Sequence, residues 1–222
     1  MTTVGFIGSG NIGSTVARLS VAAGYDVIMS NSRGPQTLQE LVAELGPRAR
    51  AGTGEQAAGE GDLAVVTIPL KAYRTIPAAA LTGKTVIDTC NYYPERDGKF
   101  AEIDDGSMTS SEVIQQHLAG AHVVKVFNNI FFKHLLSLSR PHGAADRTFL
   151  PIAGDDAGAK AEVTAFLDAI GYGSVDVGPL SESWRQEPGT PAYGTPYGPF
   201  SDPAGIPADE ATVHAAVAEA AR

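Results

Sequence analysis

The feature that most constrains this chain is a glycine-rich turn near its amino-terminal end. The residues "TVGFIG" (3–8) form an almost wholly apolar run, and Gly8, Gly10 and Gly13 follow the spacing G-x-G-x-x-G. The spacing alone is a weak signal, because 25 of the 222 residues are glycine. Here it follows a predicted strand and precedes apolar residues at helical spacing. It therefore predicts a β-α turn built on glycine.

The rest of the chain alternates short apolar runs with helical stretches. Further strands are predicted at 26–30, 63–69, 84–89, 121–127, 148–154 and 173–178. These runs are apolar on both faces, which is typical of a parallel sheet covered by helices. The predicted fold is α/β, a doubly wound Rossmann-type parallel sheet with a small C-terminal extension.

Two parts of the chain are predicted to form separate domains. Residues 1–142 would form a nucleotide-binding domain, and residues 143–222 a smaller α/β part. Within the second part, residues 186–207 contain ten Gly or Pro in twenty-two and cannot form a regular element. We call 186–207 the arm; an Ala-rich helix is predicted after it, over 208–221.

The glycine turn is of the kind that binds a dinucleotide. Gly8 allows the tight turn, Gly10 lets the backbone approach a diphosphate, and Gly13 lets the helix pack closely on the sheet. The helix N-terminus then faces the negative charge. The residues between the glycines, Ser9, Asn11 and Ile12, are predicted to contact the cofactor as well.

The turn after the second strand predicts which dinucleotide is bound. An enzyme that uses NAD usually has an acidic residue about twenty positions past the glycines, to bind the ribose 2′-hydroxyl. Asn31 stands there instead, eighteen residues past Gly13 and followed by Ser32 and Arg33. An acid would repel a 2′-phosphate, whereas these residues donate hydrogen bonds to it and Arg33 adds a charged fork. We therefore predict NADP.

Loops at the carboxyl ends of later strands are expected to line the same crevice. Thr67, Ile68 and Pro69 are predicted beside the adenosine and ribose, and Asn91 and Asn128 nearer the nicotinamide. Two other residues receive structural interpretations. Asp88 is interpreted as a cap or turn former, and Cys90 as a small buried filler.

One local feature differs from the acidic total. Between residues 125 and 147 lie Lys125, Lys133, Arg140 and Arg147 against Asp146 alone. Two interpretations stay open: a basic face exposed to solvent, or a binding site for an anionic second ligand beside the nicotinamide.

Composition argues against several classes of function. The formal net charge of −9 argues against nucleic acid as a general partner. No apolar run is long enough to span a bilayer, and a strand that begins at Thr3 leaves no room for a leader. The single cysteine and the spacing of the five histidines predict neither a disulfide nor a metal site. We expect a cytoplasmic protein.

The chain to about residue 190 resembles the family of F420-dependent NADP oxidoreductases. The resemblance rests on "GFIGSGNIG" (5–13), "SR" (32–33), "VVTIP" (65–69), "VVKVFNNI" (123–130), "AGDD" (153–156) and "GPLSESWRQEP" (178–188). It implies a Rossmann domain with a small C-terminal part, a deazaflavin (coenzyme F420) between them, and direct hydride transfer between NADP(H) and that ring. Such a transfer depends on orientation and on exclusion of water, and no catalytic acid or base is predicted.

The resemblance also implies where the second ligand lies. Its candidate contacts are Asn128, Ile130, Trp184, Arg185, Glu187 and Thr190. This chain departs from the family's pattern on that side: Trp184 stands in place of an arginine, Asn128 in place of some members' histidine, and the arm in place of an apolar helical ending.

Two other functions stay open. The first is an NADPH-dependent reductase of another small imine, carbonyl or flavin-like acceptor, and the second is a non-catalytic NADP-sensing protein. A homodimer is expected, because the arm and the final helix have little core of their own.

Overall fold

In the computed structural model, which describes residues 2–221, eight strands form one sheet in the order β3-β2-β1-β4-β5-β6-β7-β8. The strands are β1 (Thr3–Ile7), β2 (Asp26–Ser30), β3 (Ala49–Ala51), β4 (Leu63–Val66), β5 (Thr85–Asp88), β6 (His122–Lys125), β7 (Phe149–Gly154) and β8 (Gly173–Gly178). Strands β1 to β6 are mutually parallel, β7 is antiparallel to β6, and β8 is parallel to β7. The first six strands thus have the order of a Rossmann fold, which is the predicted fold class, although β3 was not predicted from the sequence.

Helices cover both faces of this sheet. They are α1 (Asn11–Ala22), α2 (Gln39–Leu45), α3 (Gly54–Glu60), α4 (Pro94–Asp97), α5 (Ala101–Asp104), α6 (Ser110–His117), α7 (Phe132–Ser137), α8 (Ala157–Ala169) and α9 (Glu210–Glu219). Short 3-10 segments lie at Pro35–Leu38, Leu70–Thr75, Ala78–Leu81, Leu180–Gln186 and Thr195–Tyr197. A capping box formed by Thr109 and Glu112 opens α6.

Alternate residues of each central strand point into two different cores. Val65 and Ile87 belong to the core covered by α1 and α8, whereas Val66 and Val86 belong to the core covered by α3 and α6. This explains why the strands read as continuous apolar runs: each strand is buried on both faces.

The C-terminal part continues the same sheet and shares the first of these cores. Tyr197 of the arm and Val213 of α9 are buried in the cluster that also contains Phe6 and Val16. The division into domains 1–142 and 143–222 remains a prediction about independent folding units. Within the described residues, the arm contains one regular segment, the 3-10 turn Thr195–Tyr197, besides the last residue of Leu180–Gln186.

None of the helices in the described part of the chain combines the length and the apolar character that a membrane crossing requires.

Candidate functional site

A continuous cleft runs along the carboxyl ends of the parallel strands. One half, of about 600 Å³, lies beside the end of β2, and we call it the β2 cavity. The other half, of about 340 Å³, lies beside the end of β5, and we call it the β5 cavity. The two halves share Gly10 and the loop Thr67–Ile68–Pro69, so one extended ligand can occupy both. This edge of an open α/β sheet is where nucleotides bind.

The glycine turn between β1 and α1 forms the floor of the cleft. Gly8 has a φ of +115°, and a Cβ there would lie 2.4 Å from the carbonyl oxygen of Thr67. A Cβ on Gly13 would lie 2.7 Å from the carbonyl oxygen of Gly8. Gly10 differs, because a Cβ there would meet no atom within 4 Å. Gly8 and Gly13 thus hold the turn together, while Gly10 leaves open space above the helix.

The N-terminus of α1 is prepared for an anion. Its cap, Gly10, supplies no side-chain hydrogen bond, and the first turn of the helix contains no acid. The first N–H groups of a helix have no partners within the helix, and together with the helix dipole they favour negative charge. Nearby, the buried Thr67 hydroxyl has no hydrogen-bond partner within residues 2–221. An open glycine, uncapped N–H groups and an unpartnered hydroxyl fit a diphosphate.

The turn after β2 places Ser32 and Arg33 on the wall of the β2 cavity. Asn31 holds this turn from inside: its Oδ1 accepts from the Arg33 N–H at 2.9 Å, and its Nδ2 donates to the hydroxyls of Thr37 at 3.0 Å and Ser9 at 3.3 Å. Arg33 is exposed, and its guanidinium has no acceptor among residues 2–221. Asn31 therefore shapes the turn, and Arg33 presents the charge.

Asn91 and Asn128, which follow the ends of β5 and β6, meet at the wall of the β5 cavity. The Asn91 Nδ2 donates to the Asn128 carbonyl oxygen at 2.7 Å, and the Asn128 Nδ2 donates to the Asn91 Oδ1 at 3.0 Å. The Asn128 Oδ1 accepts from Gln186 at 2.9 Å. These amides join the ends of β5 and β6 to the beginning of the arm.

Aromatic side chains form much of the β5 cavity. They come from loops far apart in the chain: Tyr93, Phe131, Phe132, Tyr193 and Phe200. Phe131 and Phe200 lie with their ring centroids 5.3 Å apart, at an interplanar angle of 33°. Flat apolar walls of this kind suit a flat aromatic ligand. The Tyr193 and Phe200 rings show that the arm supplies part of the wall.

Cys90 also lines the β5 cavity, with most of its side chain buried. Its thiol donates to the Ile68 carbonyl oxygen at 3.1 Å. Burial, together with the carboxylate of Asp88, raises the pKa of the Cys90 thiol well above its ordinary value. Because the thiolate is the reactive form, this cysteine serves as a neutral wall residue.

Beneath the β5 cavity lies a buried ionic network centred on Lys125. The Lys125 Nζ donates to the Cys90 carbonyl oxygen at 2.8 Å and to the Ser110 hydroxyl at 2.7 Å. The carboxylates of Asp88 and Glu187 lie at 3.5 and 3.6 Å from the same nitrogen. Asp88 also accepts from the Cys90 N–H at 2.8 Å, which is the turn-forming role interpreted from the sequence.

The four basic residues between 125 and 147 lie in different environments. Lys125 is fully buried, and Arg147 is 8% exposed, with Asp168 and the Tyr172 carbonyl oxygen as partners. Arg140 pairs with Asp146 at 2.7 Å. Lys125, Arg140 and Arg147 each make a separate contact within the protein, whereas Lys133 is exposed, so counting charges along the sequence described no common surface.

The predicted second-ligand residues divide into two groups. Asn128 and Ile130 line the β5 cavity. The others lie outside both halves of the cleft and are Trp184, Arg185, Glu187 and Thr190. Arg185 stacks on the Trp184 ring at 4.5 Å and donates to the Ala220 carbonyl oxygen, and the Thr190 hydroxyl donates to the Glu187 carbonyl oxygen. The structure does not bring these four to the cavity wall.

Of the predicted cofactor contacts, every residue except Gly13 lines the cleft; these are Gly8, Ser9, Gly10, Asn11, Ile12, Asn31, Ser32, Arg33, Thr67, Ile68, Pro69 and Asn91. Gly13 packs behind them, against Gly8. The β2 cavity has a further wall that the sequence did not indicate, formed by Thr53, Gly54, Glu55, Ala72, Thr75 and Pro77. Thr53 and Gln56 form a capping box at the start of α3, and this motif was the missed signal.

Comparison with solved structures places this fold among known proteins. A hypothetical protein from Sinorhizobium meliloti is 28% identical, with a TM-score of 0.74, over 85% of this chain and 91% of that one. A candidate F420-dependent NADP reductase from Arthrobacter sp. FB24 is 23% identical, with a TM-score of 0.68, over 82% of this chain and 87% of that one. A Plasmodium falciparum pyrroline carboxylate reductase with NADP bound shares the fold at 12% identity and a TM-score of 0.56, over 83% of this chain and 60% of that one.

Sequence comparison gives a family match over the first part of the chain. Among curated proteins no sequence matches. Residues 3–92 match the family model described as coenzyme F420-dependent NADP oxidoreductase, which indicates an NAD(P)-dependent oxidoreductase. This segment contains the glycine turn, the turn after β2 and the loops that end β4 and β5. The family resemblance predicted from the sequence is therefore confirmed, over residues 3–92, as a match to the F420-dependent NADP oxidoreductases.

Proposed function

We propose that this protein transfers a hydride between NADP(H) and a deazaflavin of the coenzyme F420 class. The observation that carries the proposal is the composition of the cleft. A β2 cavity fitted for phosphates opens into a β5 cavity walled by aromatic rings and amides, with no carboxylate or imidazole among its described lining residues. Hydride transfer between two stacked rings depends on alignment and on exclusion of water, and it needs no general acid at the reacting carbon.

The residues of the β2 cavity would hold the phosphate-bearing half of NADP. The N–H groups at the start of α1 would bind the diphosphate over Gly10. Ser32 and Arg33 would bind the 2′-phosphate, because they line the cavity directly after Asn31, the position where an NAD enzyme usually has an acid. The bound cofactor supplies the hydride, and the protein's part is to fix the ring and exclude water.

The residues of the β5 cavity would order the two rings. Asn91 and Asn128 hold each other, so they form a rigid polar edge and do not need to reorganise when ligands enter. Phe131, Tyr193 and Phe200 would cover the apolar faces. Preorganised walls of this kind reduce the entropy lost on bringing two rings together.

The test is to mix the purified protein with NADPH and oxidised F420 and to follow the absorbance of both chromophores. Consumption of NADPH and oxidised F420 in equal molar amounts, with rates that depend on both concentrations, is the expected result. Tight NADPH binding without turnover of any acceptor would instead support a sensor.

A second candidate is an NADPH-dependent reductase of a small imine or carbonyl compound. The Tyr193 hydroxyl favours it, because reduction of such acceptors also requires a proton at the nitrogen or oxygen. Burial, together with the hydrogen bond to Tyr93, raises the pKa of Tyr193 above its ordinary value, so the phenol stays protonated. Turnover of imines or ketones without F420 reduction would select this function.

We also retain the homodimer as a proposal. Leu136, Phe200 and Ile206 are each more than half exposed, and the last two belong to the arm. Phe200 and Ile206 line one surface pocket together, and exposed apolar patches often mark an interface. Light scattering after size-exclusion chromatography would test it, and a monomer at micromolar concentration would contradict it.

A further inference from the structure

Arg96 is the one charged side chain among the described residues that line the β5 cavity. It lies in α4, and Asp97 follows it in the same helix. The Arg96 Nε donates to one oxygen of Asp97 at 2.9 Å, and the Arg96 Nη2 donates to the other at 2.8 Å. The same Nη2 donates to the Asn91 carbonyl oxygen at 2.7 Å. The guanidinium is therefore fixed in one orientation at the cavity wall.

The groups that hold Arg96 are themselves fixed. The side chain of Asp97 is fully buried, and it also accepts from the Tyr93 N–H at 3.0 Å. Burial alone would raise the pKa of Asp97, but the hydrogen bonds from Arg96 and from the Tyr93 N–H outweigh it and lower that pKa. The hydrogen bond with Asp97 in turn raises the pKa of Arg96, so both partners are ionised at neutral pH.

Tyr93 also holds the Arg96 guanidinium in place. The guanidinium carbon of Arg96 lies 4.8 Å from the centroid of the Tyr93 ring, in cation–π contact. The Tyr93 hydroxyl bonds the Tyr193 hydroxyl at 2.6 Å, so the arm secures the ring from the other side. Arg96 thus loses little further freedom when it binds a ligand.

One nitrogen of Arg96 remains available. Its Nη1 has no acceptor among residues 2–221, and its side chain is 41% exposed. Because Asp97 balances the charge of Arg96, the pair acts over a short range, as a hydrogen-bond donor and not as a distant attractive field. Such a donor selects an oxygen or nitrogen that is conjugated to the reacting carbon and gains charge during the reaction.

We propose that Arg96 binds the hydride acceptor and stabilises the negative charge that the acceptor gains. The inference rests on the proposed function. As the C–H bond of NADPH breaks, the hydride and its electron pair move to the acceptor's ring carbon, and NADP⁺ is left. The acceptor's π-electron pair moves onto its conjugated carbonyl edge. Arg96 Nη1 donates a hydrogen bond to that edge, and water supplies the proton afterwards.

This assignment differs from a role in holding the cofactor. A guanidinium that bound the nicotinamide carboxamide would affect NADPH affinity in the absence of any acceptor. One that binds the acceptor affects acceptor affinity and turnover, and leaves NADPH affinity unchanged.

The experiment compares Arg96→Gln and Arg96→Lys with the wild-type protein. Arg96→Lys keeps a cation beside Asp97 but lacks the guanidinium fork. Arg74→Ala is the matched control, because Arg74 also stacks on the preceding tyrosine, at 5.0 Å, and lines neither half of the cleft. Steady-state rates with NADPH and F420, NADPH affinity by calorimetry, F420 affinity by fluorescence and melting temperatures are measured for each variant.

We expect kcat/KM for the acceptor to fall about 10-fold to 100-fold in both Arg96 variants, the range expected for one hydrogen bond to a charged group. NADPH affinity should stay within about twofold of wild type, and Arg74→Ala should behave as wild type. If the wild-type protein reduces F420 and both Arg96 variants have the same kcat/KM for F420 as wild type, this assignment alone is overturned. It is also overturned if the variants lose NADPH affinity by the same factor as kcat/KM. A wild-type protein that does not reduce F420 would overturn the proposed function, and the inference with it.

Discussion

The hydroxyl groups of Tyr93 and Tyr193 lie 2.6 Å apart, although the two residues are 100 positions apart in the chain. This hydrogen bond fastens the arm to the loop after β5, and both rings line the β5 cavity. The arm is thus a structural wall of the candidate site.

Replacing Tyr193 by Phe should loosen that wall without removing its ring. We expect the free energy of unfolding to fall by about 1 kcal/mol, the usual net value of one hydrogen bond, and the acceptor KM to rise several-fold. Urea unfolding and steady-state kinetics measure the two effects. Tyr92→Phe is the control, because the Tyr92 hydroxyl bonds Asp104 at 2.8 Å outside the cavity. Equal acceptor KM values in the two variants would contradict the role of Tyr193.

Arg33→Ala should weaken the preference for NADPH. The guanidinium stands exposed at the mouth of the β2 cavity with no protein acceptor among the described residues. We expect KM for NADPH to rise about 10-fold to 100-fold, as for loss of a hydrogen bond to a charged group, while KM for NADH changes little. Arg33→Lys should retain part of the preference. An unchanged ratio of the two KM values would refute the assignment of NADP.

The two glycines at the ends of "GSG" (8–10) should respond differently to alanine. Gly8→Ala introduces a side chain at a φ of +115° and 2.4 Å from a backbone oxygen, so a loss of at least about 1–3 kcal/mol is expected. Gly10→Ala meets no protein atom within 4 Å, so its melting temperature should match wild type. Its methyl group would occupy the space assigned to the diphosphate, and calorimetry should therefore show weakened NADP binding. If Gly10→Ala binds NADP as tightly as wild type, the diphosphate does not bind over Gly10.

Lys125→Met should destabilise the protein strongly. The substitution would leave the buried carboxylate of Asp88 without its cation, and Glu187 would lose a partner as well. Breaking a buried ion pair by removing one partner typically costs about 3–5 kcal/mol. For a chain of this size such a loss lowers the melting temperature by roughly 6–20 °C. The double variant Lys125→Met/Asp88→Asn should recover part of that loss. No recovery would indicate that packing dominates the effect.

Asp97 should make the free energy of unfolding depend on pH in the acid range. Its pKa is lowered in the folded protein, where the hydrogen bonds from Arg96 and Tyr93 outweigh the effect of burial. A carboxyl whose pKa falls on folding contributes stability above its unfolded pKa of about 3.9, and that contribution is lost as pH falls through the folded value. Urea unfolding at pH 5 and at pH 3 should therefore show a smaller difference for Asp97→Asn than for wild type. Parallel losses in the two proteins would exclude a contribution from Asp97.

The backbone of this site was largely predictable from the sequence, because local signals determine it. Gly8, Gly10 and Gly13 lie between an apolar strand and an amphipathic helix, and the structure forms this turn. Asn91 and Asn128 follow strands β5 and β6, and parallel strands bring their carboxyl ends together. In each case, the position of a residue relative to its strand in the sequence determines its place at the carboxyl-terminal edge of the sheet.

The walls of the β5 cavity were not predictable in this way. Tyr93 and Tyr193 meet only after the arm has folded back across the sheet, and no local pattern specifies that contact. Lys125 was grouped with its neighbours in sequence, although a lysine inside the apolar run "VVKVF" (123–127) could have indicated a buried and paired charge. Trp184 and Arg185 were placed at the second ligand by resemblance. Their side chains instead stack on each other, outside the cleft.

The chain reverses its direction between β6 and β7, within one sheet. Strands β7 and β8 carry the chain away from the cleft, so the segment Leu180–Gln186 must bring it back before the arm begins. The residues that would bind phosphates and those of the arm lie at opposite ends of the sequence, and they meet through the core that contains Phe6, Val16 and Tyr197. An engineer who varies the two arm residues that line the β5 cavity, Tyr193 and Phe200, and keeps the buried Tyr197 could change which ring is accepted and leave the glycine turn intact.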